Sequence, residues 1–155
     1  MNTKLIEGTK TKSYPYLPRI SSHNRSKVIT KHYVNAAVYL PQPKFALLSW
    51  LIFQSAANNT FKHSTHLLHQ FSAYILAIES EYGLKKHIPT SIQLIRKDLK
   101  WLIEEGYIFP VKDATLMINP MLVYGKKVSK GDLEAAAELY QTRDIKGIIN
   151  IFSKY

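Results

Sequence analysis

Between Ser91 and Gly106 the chain reads SIQLIRKDLKWLIEEG, and its cations fall at helical spacing among apolar residues. Ile92, Ile95, Leu99 and Leu102 follow one another at three, four and three residues, which gathers them on one face. Gln93, Arg96, Lys97 and Lys100 are left on the others. Thr90 or Ser91 is the expected N-cap, and Gly106 the expected stop because it tolerates positive φ. The positive end of the helix dipole adds a sequence-independent attraction for phosphate, so Thr90 and Ser91 have two available roles, capping and backbone contact. After Gly106 come two short β-prone runs, Tyr107 to Val111 and Thr115 to Ile118, joined by a connection of hairpin length.

Other residues with chemical potential form no catalytic constellation. In HSTHLLH, three histidines from His63 to His69 are spaced by three, and on one helix they would span about 120° of arc, wide for a single metal. No Glu completes an H-E-x-x-H site. A polar face that gains charge at mildly acid pH is the expectation there. The ten tyrosines are not accompanied by an H-x-H metal motif of the kind that nicking enzymes use, and there is no Gly-rich phosphate loop. Trp50 and Trp101 sit inside helical apolar patterns and read as core residues rather than as stacking platforms for single strands. With no cysteine, disulfides, thiolate catalysis and Cys-type zinc sites are excluded. The expectation is a binding protein with no enzymatic activity, cofactor or metal.

The elements that must position the basic helix can be followed along the chain. Residues 1–27 are rich in Lys, Ser, Thr and Asn, are broken by Pro15 and Pro18, and read as a flexible basic arm. VITKHYVNAAVYL from Val28 is β-branched and aromatic, and predicts one or two short strands. Pro41 and Pro43 mark the start of a helix near Lys44 that runs to about Ala57 and is apolar on nearly every side. Asn58-Asn59 ends it, and Phe61 to His63 is a short extended link. Ser64 caps a second helix carrying Leu67, Leu68, Phe71, Ile75 and Ile78, with Gly83 as its stop. Lys85, Lys86 and Pro89 occupy the turn before the basic helix. Asn119-Pro120 closes the hairpin, and Lys126-Lys127 leads into two short helices, the first capped by Ser129 and the second carrying Ile145, Ile148, Ile149 and Phe152. Residues 28–128 thus form a central domain, and 129–155 a nearly neutral helical segment for packing or self-association.

The chain of 155 residues carries 21 Lys+Arg against 11 Asp+Glu, a formal charge of +10. The imbalance is largest in residues 1–44, with eight cations and one acid, and disappears in residues 129–155, with four of each. Such a balance favours a polyanionic partner, nucleic acid more often than a membrane surface, because neutralising phosphates releases counterions. The longest apolar run, nine residues from Phe45, falls short of the roughly 20 that a spanning helix needs. A soluble cytoplasmic protein without a membrane partner is expected.

Helix, turn, basic helix and hairpin is the order of a winged helix-turn-helix. Such domains commonly carry S-x-x-T-[VI]-x-[RK]-x-L-x-x-L-x-x-x-G-[YFL]-I across the recognition helix and the first wing strand. Ser91, Ile95, Lys97, Leu99, Leu102, Gly106, Tyr107 and Ile108 fall on that register, with Leu94 where Thr is usual. The MINPMLVYG segment, with Asn119-Pro120 and Gly125, resembles the Asn-Pro element that follows the wing in firmicute plasmid replication proteins of the RepL type. The resemblance covers roughly Phe45 to Gly125. It implies a mainly α fold with a small β-hairpin and a protein that binds double-stranded DNA, initiates plasmid or phage replication and recruits replication machinery. A transcriptional regulator or a protein-interaction module without DNA binding remains open on the same fold.

In that binding mode the N-terminal residues of the recognition helix lie nearest the base edges. Ser91, Gln93 and Lys97 are then the base-contact candidates, with Gln93 suited to adenine and Lys97 to guanine acceptors. Arg96 and Lys100 hold phosphates, which fixes register without reading sequence. Lys112 reaches from the wing tip, and Lys85, Lys86, Lys126 and Lys127 extend the footprint. For each lysine, a solvated surface charge is the plain alternative. A homodimer would call for half-sites about one turn apart.

Overall fold

The computed structural model describes residues 27–83 and 88–155, so residues 1–26 of the arm expected over 1–27, and the turn expected at Lys85-Lys86, lie outside the described residues, while Lys27 opens a strand. Among the described residues there are six helices and two small antiparallel sheets, a mainly helical protein.

Lys27–Ile29 forms strand β1, but the rest of the stretch expected to be strand is helix α1, Lys31–Tyr39. Two effects override its β-branched composition. Thr30 caps the helix by accepting from the His32 amide at 3.2 Å, and its own amide is tied to the Leu122 carbonyl at 3.0 Å. Tyr33, Ala36 and Leu40, at helical spacing, all pack into the main core. Helix α2, Gln42–Gln54, starts two residues earlier than its proline signal indicated, with Pro43 in the first turn, where a missing N–H breaks no intrahelical bond. Leu47, Leu48, Trp50 and Leu51 are buried, whereas Phe53 stays exposed.

The link expected at Phe61 to His63 is a true strand, β2, Thr60–Lys62. Ser64 caps α3, Thr65–Tyr82, by accepting from the Leu67 amide at 3.1 Å, and Gly83 ends it at φ +62°. His63 therefore precedes the helix, and only His66 and His69 lie on it, which corrects the single-helix picture of the three histidines. Helix α4, Ile92–Glu104, is followed by Gly106 at φ +83° and by the hairpin β3, Ile108–Lys112, and β4, Thr115–Ile118. Asp113, at φ +50°, makes the tight turn, and the register slips between Pro110 and Lys112.

Strand β2 adds to the hairpin in the order β2-β4-β3, with Thr60 opposite Met117, Phe61 opposite Leu116 and Lys62 opposite Thr115. The two-residue period of these strands separates two cores. Phe61, Ile108, Leu116 and Ile118 point into the main core with α2, α3 and α4. Phe109 and Met117 point the other way, against Val128 and the last two helices, α5, Lys130–Gln141, and α6, Ile145–Phe152. Strand β5, Val123–Gly125, pairs with β1 in a separate two-stranded sheet.

Two buried asparagines join these parts. Asn59, at φ +68°, donates from Nδ2 to the carbonyls of Ile118 at 3.2 Å and Val123 at 2.8 Å. Asn119 donates to the Gly106 carbonyl at 2.9 Å and accepts from the Met121 amide at 2.9 Å, fastening the end of α4 to the segment after the hairpin.

Candidate nucleic-acid interface

Helix α4 is held by its core face, by α2 and α3, and at its C-terminal end. Its apolar face, Ile95, Leu99 and Leu102, is buried. From α2, Lys44 pairs with Asp98 at 3.4 Å and lies 5.2 Å from the centre of the Trp101 ring, which in turn stacks on Tyr107. From α3, Ser72 Oγ donates to the Thr90 carbonyl at 2.7 Å, and Thr65 Oγ1 accepts from Arg96 Nη2 at 2.8 Å. Asn119 fixes the far end.

What remains exposed is a stripe of Gln93, Lys97 and Lys100 at spacings of four and three, with Arg96 on the flank that meets α3. Leu94, 46% exposed, stands beside the stripe. Ser91 occupies the N-cap position, but its hydroxyl makes no capping bond, contrary to the expectation that capping would use it. Thr90 is half-buried and contributes its carbonyl to Ser72. Neither α3 nor α4 has an acid in its first turn, so both positive helix ends are uncompensated by their own side chains. The acids of α4 are placed elsewhere: Asp98 turns into Lys44, and Glu104 lies near the C-terminal end, 3.8 Å from Lys100.

Lys112 is exposed at the end of β3, opposite Thr115, and Thr115 is opposite Lys62 on β2. Lys62, Thr115 and Lys112 therefore form one row across the open end of the sheet, with Lys62 Nζ donating to Thr115 Oγ1 at 2.7 Å. His63 ties this row to the start of α3 by donating its amide to the Ala114 carbonyl at 2.7 Å. Lys62 and Thr65 were missed by the sequence reading. The only local signal was the Ser64 cap, and the pairing of β2 with β4 that gives Lys62 its place joins residues more than fifty positions apart. Lys126 and Lys127 are exposed in the turn after β5, on the β1-β5 sheet rather than on the hairpin. Lys85 and Lys86 lie outside the described residues.

Trp50 is buried and packs its ring on Phe71 and Tyr74, and Trp101 is half-buried between Lys44 and Tyr107. Among the described residues no three His, Asp or Glu side chains are grouped to hold a metal, and no helix is long and apolar enough to cross a membrane. The chain matches no family model, no curated protein and no solved structure.

Proposed function

We propose that the chain binds double-stranded DNA as a winged helix, with α4 in the major groove and the β3-β4 hairpin as the wing, and that it serves initiation of plasmid or phage replication. The observation that carries this reading is an outward basic stripe on α4 whose flanking Arg96 bonds to Thr65 at the start of α3, three residues after Lys62 of the hairpin row. Arg96 sits against the start of α3, and the Lys62–Thr115–Lys112 row sits at the hairpin. The order α2, β2, α3, α4, β3, β4, with β2 paired onto the hairpin, is consistent with a winged helix.

The division of labour follows from position. Gln93 and Lys97, on the first turns of α4, face base edges, and Leu94 beside them suits a thymine methyl. Arg96, Lys100, Lys62 and Lys112 neutralise phosphates and fix register. The helix needs to be rigid for this, and its ties to Lys44, Thr65 and Asn119 provide that rigidity. The role in replication rests on the resemblance to RepL-type proteins; a promoter-binding role would use the same contacts.

The test is fluorescence anisotropy of a labelled mixed-sequence duplex across a salt series, for wild type and Arg96→Ala/Lys97→Ala. Steep salt dependence that weakens in the double variant supports the reading. Absence of binding at low salt, or binding indifferent to the substitutions, refutes it. Loss of replicon maintenance, as opposed to altered promoter output, then assigns the cellular role.

A further inference from the structure

We propose that the cleft between α1, the end of α4 and α5 binds a small organic cation with a quaternary ammonium head. Its volume of about 460 Å³ lies within the usual range for small-molecule sites. Tyr39, Tyr107 and Tyr140 line it together with Glu105, and no Lys or Arg does. The other polar side chains of its wall are the imidazole of His32 and the amides of Asn35, Asn119 and Gln141. In a chain of formal charge +10, a wall with three tyrosines, one carboxylate and no Lys or Arg selects the sign of its ligand.

Three separate features favour positive charge there. Glu105 is exposed and makes no ion pair among the described residues, so its carboxylate is open to a ligand. Aromatic faces carry the negative part of a quadrupole and attract cations within about 6 Å of the ring centre. Tyr39 is 82% and Tyr140 41% exposed, whereas Tyr107 is fixed by stacking on Trp101. The third feature is backbone polarity: α1 ends at Tyr39, α4 is capped by Glu105 and α5 ends at Gln141, so three helix C-termini meet the cleft. None of these helices has a basic side chain in its last turn to offset the partial negative charge of its end.

Two cations lie in the neighbourhood without lining the cleft. Lys31 opens α1, about 12 Å along the helix from Tyr39 at 1.5 Å per residue. Arg143 lines the adjoining cleft, which shares Tyr140 and Gln141 and also holds Glu104. An anion would meet the Glu105 carboxylate and three negative helix ends, and a neutral ligand would gain nothing from them. A single carboxylate matches a single charged head, and a methylated head, having no N–H groups to satisfy, suits tyrosine rings. The cleft is at the opposite end of α4 from Gln93, about 18 Å away at 1.5 Å per residue, so the site does not depend on the proposed reading of DNA.

The experiment is an amide-detected NMR titration of the whole chain, without DNA, with choline and separately with 3,3-dimethylbutanol, which has the same shape with carbon in place of the charged nitrogen. Choline is expected to shift the amides of Glu105, Gly106, Tyr140 and Gln141 saturably, and the neutral analogue to bind about tenfold more weakly. Glu105→Gln should weaken choline binding about tenfold and Tyr140→Leu about fivefold, whereas Glu134→Gln, which removes an exposed acid of α5 that does not line the cleft, should leave it unchanged. Glu105 and Tyr140 are both exposed, so the spectra of these variants should keep the dispersion of the folded chain. No saturable shift of these amides, equal binding of the neutral analogue to wild type, or choline binding unaffected by Glu105→Gln overturns the proposal. Because the titrations contain no DNA, the salt-series result on DNA stands or falls separately.

Discussion

Replacing Lys62 with alanine gives the most direct check on the proposed interface, because its place beside Thr115 and Lys112 arises from the tertiary fold. In the proposed binding mode Lys62, Arg96, Lys100 and Lys112 are the four cations that hold phosphate, with Gln93 and Lys97 at the base edges. With each neutralised phosphate contributing about 0.9 to the slope of log K against log salt, four contacts give a slope near −3.6, and Lys62→Ala lowers it to about −2.7. Over a tenfold rise in salt, the ratio of wild-type to variant affinity therefore shrinks about eightfold. Folding should be little affected: the side chain is exposed, and its one recorded hydrogen bond is to the neutral hydroxyl of Thr115. The control is Lys146→Ala, which removes the same unit of charge from an exposed position on α6. Anisotropy titrations of one duplex with all three proteins measure the slopes. If Lys62→Ala keeps the wild-type slope, or if Lys146→Ala lowers it equally, net charge rather than a contact made by the row governs binding, and the reasoning fails.

Other consequences concern the supports of the site. Asn119→Ala removes the donor to the Gly106 carbonyl and the acceptor for the Met121 amide at a buried position, and should lower stability by about 1–3 kcal/mol in denaturant titrations. Leu102→Ala opens the fully buried face of α4 and should cost about 2–5 kcal/mol, measured the same way. Burial pushes the Lys27 ammonium down to about 8. The unfolded chain then keeps a proton that the folded chain sheds between pH 8 and the ordinary lysine value, so this group makes stability rise with pH across that window, and Lys27→Met should remove that part of the rise. Asp132 is held below its usual value, first by the Tyr155 hydroxyl and then by Lys154. The resulting stabilisation is complete above the unfolded carboxylate value and is lost as pH falls through the folded one, so thermal midpoints of wild type and Asp132→Asn should converge in acid.

How far the fold was legible depended on whether an element carried its own boundary signals. Helices α3 and α5 and the stop at Gly106 were readable because Ser64, Ser129 and a glycine at positive φ act within three or four residues of themselves. Helix α1 was not. Its Val and Tyr content favours strand, and what makes it helical is the burial of Ala36 and Leu40 together with the attachment of Thr30 to Leu122, a residue 92 positions away. Local composition loses to tertiary contact there, as it also does at β2, where three residues become a strand only because β4 offers a partner.

The site divides along the same line. Gln93, Arg96, Lys97 and Lys100 could be grouped from spacing alone, because one helix sets their relation. Membership for the other cations was a question of which elements meet. By proximity in sequence, Lys126 and Lys127 follow the hairpin and Lys62 precedes it by 46 residues and more, which favours Lys126 and Lys127 over Lys62. The strand pairing reverses that order: Lys62 is set two strands from Lys112 across Thr115, while β5 carries Lys126 and Lys127 to the sheet shared with β1. A surface lysine gains affinity for a duplex only if its charge falls within a Debye length of the phosphates that its neighbours already hold, about 8 Å at physiological salt. Lys62 has the hairpin row and His63 to anchor it beside the start of α3. Its substitution should therefore change the salt slope, and the Lys126→Ala/Lys127→Ala pair should change it less than two contacts would require.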